Sequence, residues 1–410
     1  MNTVPGPEAP VVTGIGVMAP NGTSLDDYWK ATLGGEGGIA PLEQLDPERY
    51  PVRLAGQILG FDAAEHLSDR MLVQTDRVTR LALVAADAAL RDAGADPAKL
   101  PEYSMGVATS NASGGFEFTH REIHKLWTRG PEHVSVYESF AWFYAVNTGQ
   151  ISIRNRMRGP STVLVAEQAG GLDAIGHARR TLRRGTALMV TGGIESSLDP
   201  WGWVAHLTGA RASAETDPAT AFRPFDAAAA GSVPGEGGAI LVLERADAAR
   251  ERGARPYGQI AGYAAGFDPA PASADSPVLA RVAGQALRDA GLAPGEIDVV
   301  FADAAGDPAF DRAEARAIAE LFGPRGVPVT APKALIGRLC AGGPPLDVAA
   351  ALLSIRDGVI PPTAKTALVP AEYALDLVLG EPRETPVRAA LVLARGRGGF
   401  VSALVVRASV

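Results

Sequence analysis

The sequence has few of the residues that build cross-linked or metal-binding proteins. It holds one cysteine, Cys340, and six histidines. A single thiol excludes a disulfide framework and a cysteine-based zinc site. We therefore expect no metal site and a reduced, cytoplasmic environment.

Basic residues and long apolar runs are also scarce. The chain has 38 Lys and Arg against 46 Asp and Glu, a net charge of −8. Nucleic-acid binding needs a basic surface, so this balance argues against nucleic acid as a partner. No segment reaches the ~18 uncharged apolar residues of a membrane span. Residues 1–10 lack the positive region and apolar stretch of a secretory signal, so we expect no membrane association.

Aromatic residues make up only 6% of the chain, although apolar residues make up 47%. The core must therefore consist mainly of Ala, Val, Leu and Ile. A chain of 410 residues is too long for one ordinary core and suits two α/β halves. Short apolar runs bounded by glycine alternate with helical patterns, which predicts stacked β and α layers. We expect strands over residues 11–17 and 105–108 and a helix over residues 79–92.

A short sequence occurs twice. Ala-Leu-Arg-Asp-Ala-Gly at residues 89–94 recurs unchanged at residues 286–291. Each copy ends a helical pattern, is followed by Pro97 or Pro294, and leads into a predicted strand, the second at residues 298–302. Common helix residues and a glycine C-cap also allow coincidence. The matching context favours duplication, which predicts two similar halves, the first with a long insertion.

The boundary between the halves is expected after a predicted strand at residues 239–244, in the polar stretch 245–255. We therefore predict domains at residues 1–250 and 251–410. A second candidate linker, residues 268–276, is rich in Pro, Ala and Ser and is interpreted as a surface loop.

A predicted strand, a short turn and a predicted helix meet at Gln168. The strand is expected over residues 161–166 and the helix over residues 170–183. The dipole and free amides at a helix N-terminus favour negative charge, so enzymes place a nucleophile such as a cysteine thiolate at this kind of elbow. An amide cannot ionise or form a thioester. On this segment alone, Gln168 is interpreted as an ordinary N-terminal helix residue.

Several segments together resemble β-ketoacyl synthases, in order over nearly the whole chain. They are residues 149–154, the elbow, 222–226, 235–238, 241–244, Lys333 with Gly337, and 396–399. Residues 165–173 and 139–147 are similar to the chain length factor (ketosynthase β) of bacterial aromatic type II polyketide synthases. The resemblance implies a thiolase-like α/β fold, in which two duplicated αβ halves form a five-layered α-β-α-β-α sandwich.

The resemblance also implies that the condensing residues are lost. A condensing enzyme of this family needs a cysteine that holds the acyl chain and two histidines that assist decarboxylation and stabilise developing charge. Motif by motif, Gln168 stands at the cysteine position and Asp303 and Arg338 at the histidine positions. We therefore expect no independent condensation. Lys333 and Glu314 match the family pattern and are expected to keep structural salt links.

Cys340 lies two residues after Arg338, where the family carries no nucleophile. Buried free cysteines behave as small hydrophobes far more often than as reagents. We expect no catalysis at Cys340.

By resemblance, the chain pairs with an active ketosynthase α as a heterodimer. The partner receives malonyl units on the phosphopantetheine of an acyl carrier protein, and no cofactor is expected on this chain itself. The poly-β-keto product can react with itself in water, so it is expected to grow in a buried tunnel between the subunits. The volume of the tunnel then limits the number of elongation cycles.

Four residues are candidate walls of this tunnel. Phe116, Thr119 and Ile123 share one face if their segment is helical, and Trp201 is the family-matched fourth residue. Where related rulers of short chains carry phenylalanine, Ile123 is smaller, which predicts a wider tunnel. Core packing is the alternative for all four.

Five aromatic residues fall within a short stretch before the elbow, which suits either a local core or a partner interface. We favour the interface, next to the strand expected at residues 162–166, and expect the isolated chain to be unstable or self-associated. The five are Tyr137, Phe140, Trp142, Phe143 and Tyr144.

Two other functions compete with this interpretation. Gln168 resembles the glutamine of ketosynthase-like decarboxylases, which make an acetyl primer from malonyl-acyl carrier protein. Those enzymes keep histidines where this chain has Asp303 and Arg338, although Arg338 can supply positive charge. The second alternative is a thiolase-fold scaffold unrelated to polyketides, and residues 167–171 argue against it.

Overall fold

The computed structural model describes residues 9–209, 211–270, 273 and 276–409. Most of residues 1–10, and parts of the candidate loop 268–276, therefore lie outside the described residues. The strands are β1 (Pro10–Met18), β2 (Ile39–Pro41), β3 (Leu54–Gly56), β4 (Met105–Ser110), β5 (Ser161–Leu164), β6 (Leu188–Glu195), β7 (Gly237–Arg245), β8 (Gly258–Phe267), β9 (Val299–Phe301), β10 (Pro328–Thr330), β11 (Val359–Ile360), β12 (Asp376–Leu377), β13 (Arg383–Glu384), β14 (Ala389–Arg395) and β15 (Phe400–Arg407). The helices are α1 (Leu25–Leu33), α2 (Asp69–Gln74), α3 (Arg77–Asp92), α4 (Phe116–Arg129), α5 (Glu138–Ala141), α6 (Val146–Arg154), α7 (Gly170–Leu182), α8 (Pro200–Leu207), α9 (Ala246–Glu251), α10 (Val278–Ala290), α11 (Pro308–Phe322) and α12 (Gly343–Asp357).

One large mixed sheet runs through the molecule in the order β12-β10-β9-β14-β15-β8-β1-β7-β6-β4-β5. It is joined in the middle by a short seam, where Val11 and Val12 of β1 pair with Gln259 and Gly258 of β8. On one side of the seam the order is β5-β4-β6-β7-β1, and on the other it is β12-β10-β9-β14-β15-β8. The five strands nearest the seam on each side have two parallel pairings followed by two antiparallel ones, and β12 adds one more parallel pairing at the edge of the second side. The predicted duplication is therefore confirmed by the topology.

The repeated hexapeptide makes equivalent contacts in the two halves. It closes α3 in the first half and α10 in the second. Asp92 accepts a hydrogen bond from the backbone N–H of Ile15 in β1 at 2.8 Å. Asp289 accepts one from the backbone N–H of Tyr263 in β8 at 2.9 Å. The two aspartates thus fix each outer helix to the first strand of its own half.

The helices form three layers around the two halves of the sheet. α3 and α6 cover the outer face of the first half, and α10 and α11 cover that of the second. α7 and α12 lie between the halves, and Leu172 and Leu352 join one core with strand residues of both, such as Leu241 and Leu404. The chain therefore has the predicted thiolase-like, five-layered α-β-α-β-α fold, with a central layer built almost entirely from aliphatic side chains.

Some predicted boundaries differ from the structure. The strand expected over residues 161–166 ends at Leu164, because Glu167 adopts a left-handed φ of 48° that no strand accommodates. The polar stretch 245–255 contains α9 rather than an open linker. The domain limits at residues 250 and 251 stay a prediction.

Within the described ranges, no helix combines the length and apolar character needed to cross a membrane. The same residues contain no cluster of His, Cys, Asp or Glu side chains arranged to hold a metal ion. The cytoplasmic location stays a prediction.

Candidate functional site

The elbow predicted at Gln168 is present. Gln168 lies in the 3₁₀ turn Glu167–Ala169, directly before α7. Its side chain is fully buried, and neither amide atom has a hydrogen-bond partner in the described part of the chain. Gly343 at the start of α12 lies against the amide, since a β-carbon there would come within 3.2 Å of Nε2. The amide is thus enclosed between the two central helices.

A cavity of about 210 Å³ opens beside the elbow. At the turn it is lined by Glu167, and Gln168 is not among its lining residues. Of the three positions predicted to have lost condensing residues, the structure therefore brings Asp303 and Arg338 together at the cavity, and Gln168 is not part of its lining. The other charged residues of the lining are Arg211, Asp303, Arg338, Arg395 and Arg397.

Asp303 and Arg338, which the resemblance predicts at the histidine positions, form an ion pair. Arg338 Nη2 lies 3.0 Å from Asp303 Oδ1, and Arg338 Nη1 also donates to the Asp303 carbonyl at 2.8 Å. Arg395 Nε approaches the other carboxylate oxygen at 3.2 Å. Burial opposes ionisation of Asp303, but the charges of Arg338 and then Arg395 outweigh it and hold its pKa well below the ordinary value. Asp303 is a fixed anion and has no proton to exchange near neutral pH.

Arg395 connects this pair to a second carboxylate. Its Nη2 lies 2.9 Å from Glu314 Oε2. Glu314 also accepts hydrogen bonds from the backbone N–H groups of Asp303 at 2.7 Å and Ala304 at 2.9 Å. Sequence reasoning missed Arg395. The available signal was an arginine at the end of the continuous apolar stretch 389–394, where a buried charge requires a partner.

Lys333 forms the salt link expected of it. Its Nζ lies 2.7 Å from Asp347 Oδ2 and donates to the carbonyls of Ala302 at 2.7 Å and Asp303 at 3.1 Å. Lys333 therefore supports the loop that carries Asp303 and does not face a reactant.

The nucleophile candidates of the cavity are inactive on physical grounds. Burial raises the pKa of the Cys340 thiol well above its ordinary value, and the negative charges of Glu167 and Glu195 raise it further. The thiol stays protonated and is a poor nucleophile. Ser197 Oγ lies 2.9 Å from His206 Nε2. Burial, followed by the charge of Arg397, lowers the His206 pKa to about 4, so His206 is a weak base for activating that hydroxyl.

Of the four gate candidates, Phe116 lines the cavity, and Thr119, Ile123 and Trp201 are not among its lining residues. α4 contains Phe116, Thr119 and Ile123 on one face, as predicted from their spacing. The Phe116 ring lines the cavity and stacks on Trp201, with 5.5 Å between ring centroids and 19° between planes. The backbone N–H of Phe118 donates to Asp76 at 2.7 Å and holds the start of α4 against α3. The gating roles themselves stay a prediction.

The predicted interface aromatics are largely exposed. Trp142, Phe143 and Tyr144 are 48%, 36% and 37% exposed and form a continuous ring cluster, whereas Tyr137 and Phe140 are half-buried and pack on each other. The following helix, α6, packs against β5. In the sheet of the described chain, β5 is an outer strand that pairs on one side with β4. An unpaired sheet edge beside exposed aromatics is typical of an association surface.

We expect a Glu195→Gln variant to show a weaker pH dependence of stability. Glu195 is fully buried beside the cavity, and burial raises its pKa from 4.5 to about 7 although Ser113 and Ala112 donate to it. Between these values the folded chain binds the proton more strongly than the unfolded chain, so its contribution to stability falls as pH rises.

Urea unfolding at pH 5 and pH 8 measures this effect. The loss of unfolding free energy between the two pH values should be smaller in Glu195→Gln than in the wild type. The exposed Glu215→Gln variant is the matched control and should retain the wild-type difference. An unchanged difference in Glu195→Gln contradicts the prediction.

Comparison with known proteins agrees with this site and fold. The β-ketoacyl synthase N-terminal domain model matches residues 8–249, and the C-terminal domain model matches residues 257–367. The actinorhodin polyketide β-ketoacyl synthase 2 of Streptomyces coelicolor is 62% identical over 97% of this chain and 98% of its own length. The tetracenomycin polyketide synthase ketoacyl synthase beta subunit of Streptomyces glaucescens is 60% identical over 98% of both chains.

A solved structure also has the same fold. A chain of the ishigamide ketosynthase/chain length factor superposes with a TM-score of 0.90 at 25% identity, covering 98% of this chain and 99% of that one. The chain belongs to the β-ketoacyl synthase family, and within it to the ketosynthase β, or chain length factor, group of type II polyketide synthases.

Proposed function

We propose that this chain is the non-condensing subunit of a polyketide-forming ketosynthase, in which it sets the length of the product. The observation that carries the proposal is the ion-pair network at the condensing positions. Asp303 and Arg338 neutralise each other where histidines would assist decarboxylation, and the Gln168 amide is buried and does not line the cavity. A site whose thiol stays protonated, whose histidine is a weak base and whose condensing positions hold an ion pair is not equipped to form a carbon–carbon bond.

The partner is an active ketosynthase α. The tetracenomycin relative is named as a beta subunit, and the ishigamide structure contains a ketosynthase with a chain length factor. The outer edge of β5 and the exposed ring cluster Trp142, Phe143 and Tyr144 supply the apolar surface and backbone hydrogen-bonding groups that such a partner needs. The substrate arrives on the phosphopantetheine of an acyl carrier protein, and this chain binds no cofactor of its own.

The gate residues Phe116, Thr119, Ile123 and Trp201 restrict the tunnel. The Phe116–Trp201 stack connects α4 to α8 and gives the wall a fixed aromatic element. Ile123 lies one helical turn beyond Thr119 on the same face. A side chain at this position occupies volume that the growing chain would otherwise fill.

Reconstitution tests the proposal. The chain is co-expressed with a compatible ketosynthase α, an acyl carrier protein and a malonyl source, and the product is weighed by mass spectrometry. We expect polyketide from the heterodimer and none from this chain alone, which should self-associate in gel filtration. Elongation of malonyl groups by the isolated chain would contradict the proposal.

The decarboxylase alternative is not favoured. A glutamine that stabilises a carbanion must reach the malonyl group, and Gln168 is 0% exposed and does not line the cavity. Acetyl formation from malonyl-acyl carrier protein should therefore be the same in the wild-type and Gln168→Ala heterodimers. The 62% and 60% identity to polyketide relatives argues against the alternative of a thiolase-fold scaffold unrelated to polyketides.

A further inference from the structure

Helix α4 carries apolar side chains on the side that faces away from its own buried contacts. At about 100° per residue, Phe116, Ile123 and Trp127 lie within about 40° of one another around the helix axis. The residues that α4 buries, Phe118 and Glu122, lie on the opposite side. The helix therefore packs on this chain with one side and presents a second side, which we call the outward face of α4.

The rest of the chain covers only the first part of this outward face. At the start of α4, Phe116 lines the cavity and stacks on Trp201 of α8. Ile123, in the middle of the helix, is half-buried. Trp127, near its end, is 82% exposed, the largest fraction among the exposed large apolar side chains of the described residues. The outward face thus runs from the chain's own cavity to open solvent.

The segment around Trp127 exposes further apolar surface. Leu126, the preceding residue of α4, is exposed. Val136 is 79% exposed and follows Ser135, whose backbone N–H donates to Glu122 of α4 at 2.7 Å. The exposed charged residues that flank these side chains in the sequence are Arg121, Arg129 and Glu132. Apolar residues within a charged rim are typical of a protein–protein interface.

The outward face is connected to the exposed ring cluster Trp142, Phe143 and Tyr144. The backbone N–H of Gly115, directly before α4, donates to the carbonyl of Trp142 at 3.1 Å. α4 also packs against α5, the helix that leads into the cluster. A partner that covers the ring cluster and the edge of β5 therefore meets α4 as the next element of the same surface.

We propose that Trp127 anchors the heterodimer by packing into ketosynthase α, so that the outward face of α4 leads from the cavity of this chain into the subunit interface. The inference rests on the proposed function, from which the partner is taken. Tryptophan buries a large apolar area with few rotatable bonds, and it is enriched among the residues that carry most of the binding energy of interfaces.

Replacing Trp127 with alanine tests the anchor. Trp127→Ala should raise the Kd for immobilised ketosynthase α about thirtyfold or more, as measured by surface plasmon resonance. Trp127→Phe keeps an aromatic ring and should raise the Kd less. Leu368→Ala is the control, since Leu368 is a large apolar residue that is 67% exposed in the second half of the chain, and it should leave the Kd unchanged.

Circular dichroism of each variant checks the fold, which should be retained because Trp127 is largely exposed. If Trp127→Ala nevertheless fails to fold, Trp127→Phe decides: a raised Kd supports the anchor, and the wild-type Kd overturns it.

The outcomes separate this inference from the proposed function. If Trp127→Ala folds and binds ketosynthase α as tightly as the wild type does, the inference is overturned and the proposed function stands. If Trp127→Ala abolishes self-association of this chain but keeps the wild-type Kd for ketosynthase α, the outward face pairs with a second copy, and the inference is also wrong. If the wild-type chain does not bind ketosynthase α, the proposed function itself fails.

Discussion

Replacing Arg395 with methionine is expected to lower the free energy of unfolding by about 3–5 kcal/mol, because it leaves a buried charge without its partner. Arg395 lies between Asp303 and Glu314, and the three side chains are 6%, 1% and 0% exposed. Methionine fills much of the same volume but donates no hydrogen bond to either carboxylate. Urea unfolding of the wild type and the variant in the same buffer measures the difference.

Arg397 provides the matched control for this experiment. It is two residues away and exposed, and it forms no ion pair with a carboxylate in the described chain. Arg397→Met removes the same charge and should change stability by less than about 0.5 kcal/mol. Equal stability of the Arg395→Met and Arg397→Met variants would show that the network does not hold the fold together.

The pH dependence of stability in acid provides a second measurement of the network. Because the Asp303 pKa is lowered in the folded chain, its stabilising contribution is complete above the unfolded pKa and is lost as pH falls towards the folded value. The wild type should therefore lose more stability between pH 5 and pH 3 than an Asp303→Asn variant does. A parallel loss in both proteins would contradict the assignment of Asp303 as a fixed anion.

An Ile123→Trp variant of the heterodimer is expected to release a shorter polyketide as its main product. Ile123 is half-buried on the face of α4 that we propose lines the tunnel, and an indole ring there would occupy volume that isoleucine leaves free. Well-packed walls do not relax enough to absorb such an increase in side-chain size. The product should lose one or more two-carbon units, as measured by mass spectrometry.

The corresponding control lies at the opposite edge of the sheet. Leu379 is 38% exposed beside β12, far from β5 in the strand order. Leu379→Trp should leave the product length unchanged. If both variants give the wild-type product, Ile123 is not part of the gate.

The fold could be predicted from the sequence because its main signals are local patterns and one of them, a hexapeptide, occurs in both halves. The hexapeptide at residues 89–94 and 286–291 predicted two equivalent halves, and Asp92 and Asp289 show the physical reason: each fixes an outer helix to the first strand of its half. The loss of the condensing residues was also readable, since motif spacing locates Gln168, Asp303 and Arg338 without knowledge of the packing.

The network around Asp303 was not predictable in the same way. Arg395 lies 92 residues after Asp303 in the chain, and no local pattern indicates that the two meet. The orientation of the Gln168 side chain could not be predicted either. The space for its amide depends on Gly343, which lies on a helix far away in the sequence. Contacts between distant segments require the fold to be known first.

Arg338 and Arg395 both pair with the Asp303 carboxylate. This shared ion pairing affects how histidines could return to these positions. A histidine introduced at position 303 alone would deprive both Arg338 and Arg395 of an anion in the protein interior. A histidine at position 338 alone would leave the Asp303 carboxylate with one guanidinium fewer. Each single substitution towards histidine is therefore expected to weaken folding, so the ion-pair network itself opposes a return of histidine at either position.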